Sequence, residues 1–242
     1  MPGPLPLPGA DEAHVWVAFL SESVPLLASY ECGLSVEEKQ RAGRFSRPDD
    51  RARYIAAHGI LRELLGQYLS IAPAELSFGQ NAFGKPRITP RSVQTDLAFN
   101  LAHSGEVIIF AFANYHRVGI DVEAIRTDLD FSDLAQSQFS PDEMRTLQAF
   151  DSAARTNAFF RCWTRKEAYV KARGEGLAIA LKEFTVRFGP DELPGVSWAA
   201  DDPLAAARWA MFDLEPAPGY AGAIVIEHPS VRLLSRRWIA EG

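Results

Sequence analysis

Hydrophobic and polar positions follow two different periods along this chain, and the period changes at sharp places. Across residues 49–70, Tyr54, Ala57, Ile60, Leu61, Leu64, Leu65 and Tyr68 recur at steps of three and four, which predicts a long helix with one buried face. Pro73 ends it. A second long helix is predicted over residues 152–173 and is stopped by Gly174 and Gly176. Shorter helices are predicted at 131–138 and 141–149, and Ser35 followed by Glu38 marks a capped helix start at 35–40. Strand patterns occupy 15–20, 76–78, 97–103, 107–113, 119–123, 184–188, 209–214 and 222–227, with a final edge strand at 231–238. The run VIIFAFA at 107–113 is apolar on both faces, as a central strand is.

These elements predict an α+β protein. The halves echo each other faintly: one long helix leads into SIAPAELSF (70–78), the other into AIALKEFTV (178–186). The echo suggests two similar α+β lobes, an N-terminal one at 15–114 and a C-terminal one at 115–242. Before them, residues 1–14 carry alternating prolines and are expected to form a flexible or extended tail.

Chemistry enters where the pattern breaks. Asp121 interrupts the apolar strand VGIDVE, and period two puts Glu123 on its face. Helical spacing puts Trp163, Glu167 and Lys171 on one face of the second long helix. Carboxylates on buried faces need a partner or a metal. If the two faces meet, Asp121, Glu123 and Glu167 can share a divalent cation, and hard oxygen ligands suit Mg²⁺. Lys171 is either an ion-pair partner of Glu167 or a cation facing a phosphate leaving group. Lys166 is expected to point away into solvent. His103 ends a strand before Ser104-Gly105 and reads equally as a structural residue or a phosphate contact. Lys85, held in GKPR, reads as a solvated turn or a phosphate ligand. Arg44 and Arg53 flank the start of the first long helix, with Arg41 and Arg87 as weaker candidates. His14, His58, His116 and His228 are expected to be structural or exposed.

Composition narrows the classes. The chain has 242 residues, 47% of them apolar, which allows a substantial core. Its charge of −6 and pI near 5.4 weigh against non-specific nucleic-acid binding, which draws on Lys and Arg. The two cysteines have no metal or disulfide spacing, and Cys162 is expected to be a buried thiol. The start lacks the basic and apolar regions of a signal peptide, and no stretch is long and apolar enough to span a membrane. A soluble, cytoplasmic protein is expected.

Four segments together resemble the 4′-phosphopantetheinyl transferases of the Sfp-like type: GKP at 84–86, FNLAHS at 99–104, GIDVE at 119–123 and WTRKEAYVKARGEGL at 163–177. The resemblance covers roughly residues 35–186, and the last motif is the specific one. It implies a pseudo-dimer of two α+β lobes with the active site in the cleft between them. It also implies the activity: a holo-[acyl-carrier-protein] synthase type enzyme moves the phosphopantetheine arm of coenzyme A to a serine of an apo carrier protein, releasing 3′,5′-ADP. By position, Asp121, Glu123 and Glu167 would hold Mg²⁺, Glu167 would be general base, and Lys171 would stabilise or protonate the leaving phosphate. His103 and Lys85 would grip coenzyme A phosphates, with Arg44 and Arg53 near the adenosine 3′-phosphate. The carrier could serve fatty acid, polyketide or nonribosomal peptide synthesis, with Arg126, Arg145 or Arg165 meeting its acidic surface. A monomer is expected. Ala102, Tyr54 and Glu38 depart from residues common in the family. Two rival readings stay open: a Mg²⁺-dependent phosphohydrolase or nuclease, and a carrier-binding module without turnover.

Overall fold

In the computed structural model, which describes residues 3–89 and 93–239, the faint echo between the long helices is the visible part of a complete duplication of topology. The first copy runs β1 (Glu12–Phe19), α1 (Leu20–Ser23), α2 (Leu27–Gly33), α3 (Val36–Ala42), α4 (Pro48–Leu69), the hairpin β2 (Phe78–Gln80) and β3 (Pro86–Ile88), then β4 (Leu97–Ser104) and β5 (Val107–Asn114). The second runs β6 (Val118–Ala124), α5 (Ser132–Gln138), α6 (Pro141–Ala149), α7 (Ser152–Arg173), the hairpin β7 (Phe184–Arg187) and β8 (Gly195–Ala199), α8 (Ala205–Arg208), β9 (Ala210–Leu214) and β10 (Tyr220–Ile226). The first sheet is ordered β1-β5-β4 and the second β6-β10-β9, so corresponding strands hold corresponding places. One strand, β11 (Arg232–Arg237), crosses back to lie parallel beside β1 at the edge of the first sheet.

Two expectations change accordingly. The end of the chain does not stay with the second lobe, because β11 completes the first sheet. The N-terminal tail is shorter than residues 1–14: Glu12 to His14 already belong to β1, Leu5 packs on the first core, and its N–H donates to Gln67 O at 3.1 Å. Residues 1 and 2 lie outside the described residues.

The sheets face each other, and the long helices cover their outer faces. Val15, Ile109, Ala111, Ile120, Val122 and Ile224 fill the layer between the sheets. Ile60, Leu64 and Leu65 of α4 pack on Phe110 and Phe112, while Tyr169 of α7 packs with Phe184 and Trp209. This double cover is why β5 is buried along its whole length. Each large apolar side chain so enclosed contributes about 1.5–3 kcal/mol relative to exposure.

A polar strut repeats in both lobes. Ser35 and Glu38 form a reciprocal capping box on α3, and Ser140 and Glu143 form one on α6. Each glutamate then meets a cation at the same step along the long helix of its lobe. Arg62 Nη2 lies 2.7 Å from Glu38 Oε2, and Lys166 Nζ lies 2.7 Å from Glu143 Oε2. Lys166 was expected in solvent; it is fully buried and also donates to Phe184 O. It lies about 100° round the helix from Glu167, as consecutive residues do, but α6 covers that side. Arg165, expected at a carrier surface, is buried as well, with Nε donating to Asp213 Oδ1 at 2.7 Å.

Candidate active site

The strand carrying Asp121 lies directly under α7. Val118, Ile120 and Val122 turn into the layer between the sheets, so alternation turns Gly119, Asp121 and Glu123 the other way. A Cβ on Gly119 would run into Ala168 O and Ala172 N of α7, and only glycine permits an approach this close. Asp121 is 4% exposed. Its Oδ1 accepts from Lys171 Nζ at 2.6 Å, and its Oδ2 is buried without a hydrogen-bond partner among the described residues. Glu123 Oε2 accepts from Ser104 Oγ at 2.9 Å. Glu167 and Lys171 open from α7 into a cavity of about 450 Å³.

Burial pushes the Asp121 carboxyl above its ordinary value against the pull of Lys171. Burial and then the Asp121 charge push up both Glu123 and Glu167. The three carboxylates feel one another, yet among the described residues no three His, Cys, Asp or Glu side chains are gathered closely enough to ligate one ion. The closed triad expected from spacing is therefore not formed: like charges repel, and Asp121 takes Lys171 as its counter-charge. The donor set nonetheless fits a hard divalent cation. It offers carboxylate oxygens, and a buried oxygen of Asp121 lacks any partner.

β4 holds this strand from the side. Asn100 Oδ1 accepts the Ile120 N–H at 2.8 Å, and Ser104 Oγ accepts the Ala124 N–H at 3.0 Å. β6 pairs on its other edge with β10, so these side chains stand in for a missing strand partner. Asn100 was not singled out from sequence. Its strand-period relation to Ser104 was the signal. Ala102 lies between them in the layer between the sheets.

His103 points to the opposite side of β4 and its ring is exposed. Loss of solvation to the groups packed around it, then the charge of Arg53, lowers its pKa to about 4, so it is neutral at pH 7. Arg53 Nε donates to Gly105 O at 2.8 Å, which fixes the turn after His103, and Nη1 pairs with Asp50 at 2.9 Å. Arg44 is exposed beyond α3. Arg41 lies over the Tyr54 ring at 5.9 Å, and His58 stacks on the same ring at 4.1 Å while its Nδ1 meets Glu38 at 3.2 Å. Here His58 is structural, as expected.

Lys85 departs from expectation. Its ammonium donates to Lys171 O at 2.6 Å and Val118 O at 2.8 Å, and lies 3.5 Å from Ala172 O. Burial, with Arg117 nearby, lowers its pKa to about 8. Backbone carbonyls of the second lobe thus surround the ammonium. Around it, Phe83, Pro86, Val170, Ile179 and Leu181 give the cavity beside Glu167 an apolar lining.

Comparison with known proteins points to one family. Residues 117–225 match the family model described as the 4′-phosphopantetheinyl transferase superfamily, and residues 25–114 match that of the 4′-phosphopantetheinyl transferase N-terminal region. The chain is 34% identical over 217 residues to 4′-phosphopantetheinyl transferase HetI of Nostoc sp., covering 90% of this chain and 88% of that one. It is 29% identical over 196 residues to 4′-phosphopantetheinyl transferase Sfp of Bacillus subtilis, covering 81% and 83%. Among solved structures, an acyl-carrier-protein synthase–coenzyme A complex from Chronobacterium ammoniagenes is similar to 46% of this chain and covers 95% of its own, at 21% identity and a TM-score of 0.35.

Proposed function

The chain belongs to the 4′-phosphopantetheinyl transferase superfamily, and from that premise we propose that it transfers the 4′-phosphopantetheine arm of coenzyme A to a serine of an apo carrier protein. The serine Oγ forms a bond to the phosphorus nearest the pantetheine. The bond from that phosphorus to the bridging oxygen breaks, and 3′,5′-ADP leaves.

Glu167 takes the serine proton. Its raised pKa, due first to burial and then to Asp121, makes it a stronger base than an exposed carboxylate. Lys171 is anchored by Asp121 at 2.6 Å and has further N–H donors for the leaving phosphate. His103, neutral at pH 7, hydrogen-bonds the donor's phosphates, and Arg53 and Arg44 supply positive charge toward the adenosine 3′-phosphate. The apolar lining beside Glu167 receives the pantetheine arm. The unpartnered oxygen of Asp121 would hold Mg²⁺, with Glu123 and Glu167 drawn in once the ion's charge offsets their mutual repulsion, and the ion would supply polarisation of the pyrophosphate and neutralisation of developing charge.

The observation that carries this reading is the pairing of buried Asp121 with the half-buried Lys171, with Glu167 one turn away, opening on a cavity between the lobes. The test is incubation of apo carrier protein with coenzyme A and Mg²⁺, read by intact mass. The expected result is one phosphopantetheine added per serine, with 3′,5′-ADP released only when carrier is present. Nucleotide released equally without carrier overturns transfer in favour of hydrolysis. Asp121→Asn is expected to raise the Mg²⁺ concentration needed for half-maximal rate, and an unchanged titration removes Asp121 from the ion's ligands.

A further inference from the structure

The C-terminus of α7 is capped by side chains from outside the helix. The last carbonyls of a helix have no partner within it. Val170 O accepts the ordinary bond from Gly174 N–H. The next carbonyls are met otherwise: Lys171 O and Ala172 O by Lys85, Arg173 O by Arg117 at 3.4 Å, and Gly174 O by Asn81 Nδ2 at 2.7 Å. Asn81 and Lys85 are the two ends of one turn, between β2 and β3 of the first lobe. Asn81 Oδ1 closes that turn by accepting the Phe83 and Lys85 N–H groups, each at 2.9 Å. The turn is therefore a preformed cap. It brings positive charge to the negative end of the helix dipole and ties the same ammonium to Val118 O at the start of β6.

Gly174 shows how close the fit is. It sits at φ +74°, and a Cβ there would meet Lys85 Cδ at 3.1 Å and Asn81 Nδ2 at 3.3 Å. The capped turn is the one from which Lys171 reaches Asp121, with Glu167 one turn earlier.

We infer that Asn81 and Lys85 form an inter-lobe latch: they are positioning residues that hold the catalytic face of α7 in register over β6, and Lys85 is not a ligand of the coenzyme A phosphates. The inference rests on the transferase reading only for its kinetic consequence. Lys85→Met removes the ammonium. Asn81→Asp keeps the oxygen that closes the turn and turns the donor to Gly174 O into a charged acceptor, which breaks that bond and sets negative charge at the negative end of the helix.

The test combines three measurements on the full chain: single-turnover modification of apo carrier, coenzyme A affinity by calorimetry, and amide hydrogen exchange across residues 168–174. Both variants are expected to slow transfer by about 10- to 100-fold, as small misplacements of catalytic groups do, while coenzyme A affinity changes by less than about twofold. Exchange in the last turn of α7 is expected to accelerate. Weakened coenzyme A binding in Lys85→Met with exchange and single-turnover rate unchanged overturns the latch and makes the lysine a phosphate ligand. Wild-type transfer rates in both variants also overturn it. If Lys85→Met does not fold, Asn81→Asp decides by the same readings. If the wild type shows no transfer, the transferase reading fails, and the exchange measurement still decides the latch.

Discussion

Glu63 of α4 and Glu167 of α7 stand at the same step along two helices of 22 residues that occupy the same place in two copies of one topology. Their surroundings differ. Glu63 lies half-buried beside Tyr30 of α2, and burial alone raises its pKa. Glu167 lies over Asp121 and lines a cavity whose far wall, with Phe83 and Pro86, belongs to the other lobe. Four residues on, α4 has Gln67 and α7 has Lys171. The duplicated scaffold thus supports folding in both copies, and the proposed chemistry occupies the copy whose helix face lines the cavity between the lobes.

The struts differ in the same spirit. Glu143 and Lys166 are both fully enclosed, and burial pushes the carboxyl up and the ammonium down. Glu38 is nearly as buried, and burial opposes its ionisation too. Hydrogen bonds from His58, the Ser35 N–H and Arg62 outweigh that and hold its pKa down to about 2. Glu38 is thus held by the side chains of Arg62 and His58 beside the Ser35 N–H, whereas Glu143 is held by Lys166 and the N–H groups of Ser140 and Val186.

The sharpest way to break the comparison is to exchange the equivalent glutamates for glutamine. Glu167→Gln is expected to lower carrier modification by at least about 10²-fold with the fold intact, the contribution typical of a general base. Glu63→Gln is expected to leave the rate unchanged. Equal losses, measured by intact mass over time with circular dichroism as control, would mean that the two positions are not functionally distinct.

The struts come next. Lys166→Met leaves the buried Glu143 carboxyl without its counter-charge and is expected to cost about 3–5 kcal/mol in chemical denaturation. Arg62→Met is expected to cost less, because Glu38 retains His58 and a route to solvent. The reverse ranking would show that enclosure does not set the energy of these pairs.

Acid separates the struts further. The folded pKa of Glu38 is depressed from 4.5 to about 2, so its stabilisation is complete above pH 4.5 and is lost as pH falls toward 2. On the order of 3 kcal/mol is at stake. Glu38→Gln is expected to flatten the acid limb of the stability curve in that window. A Glu38→Gln protein with the wild-type acid limb would contradict the assignment.

The smallest contrast is between the caps. Ser35→Ala and Ser140→Ala are each expected to cost about 1 kcal/mol. The loss at Ser140 should be the larger, because that hydroxyl is buried and also bonded to Thr185 Oγ1 at 2.9 Å. Thermal melts of the two variants give the order directly.

Much of this was legible before any coordinates. Local patterns depend on residues a few steps apart, and those gave α7 from Ser152 to Arg173, the capping box at Ser35, and the shared face of Trp163, Glu167 and Lys171. They also put Asp121 and Glu123 on one side of a strand. The short strand β8 and the helices α1 and α2 were missed, since Gly, Pro and brief apolar runs give no clear period there. The larger misreadings share a cause. Lys166, Arg165 and Lys85 are long cations whose stems can lie along apolar surface, and nothing in their own segments says what covers them. Their partners, Glu143, Asp213 and the carbonyls of Val118 and Lys171, lie 23 or more residues away.

The chain by itself determined its long helices, most of its strands, its family and the face on which Asp121, Glu123 and Glu167 sit, because periodicity and short motifs are properties of neighbouring residues. Only the tertiary structure decided which charges are enclosed, that β11 returns to the first sheet, that Asn100 braces the strand of Asp121, and that a turn of one lobe caps the helix of the other. Those outcomes depend on solvent exclusion and hydrogen-bond satisfaction between segments distant in sequence, and such terms exist only once the lobes are in contact.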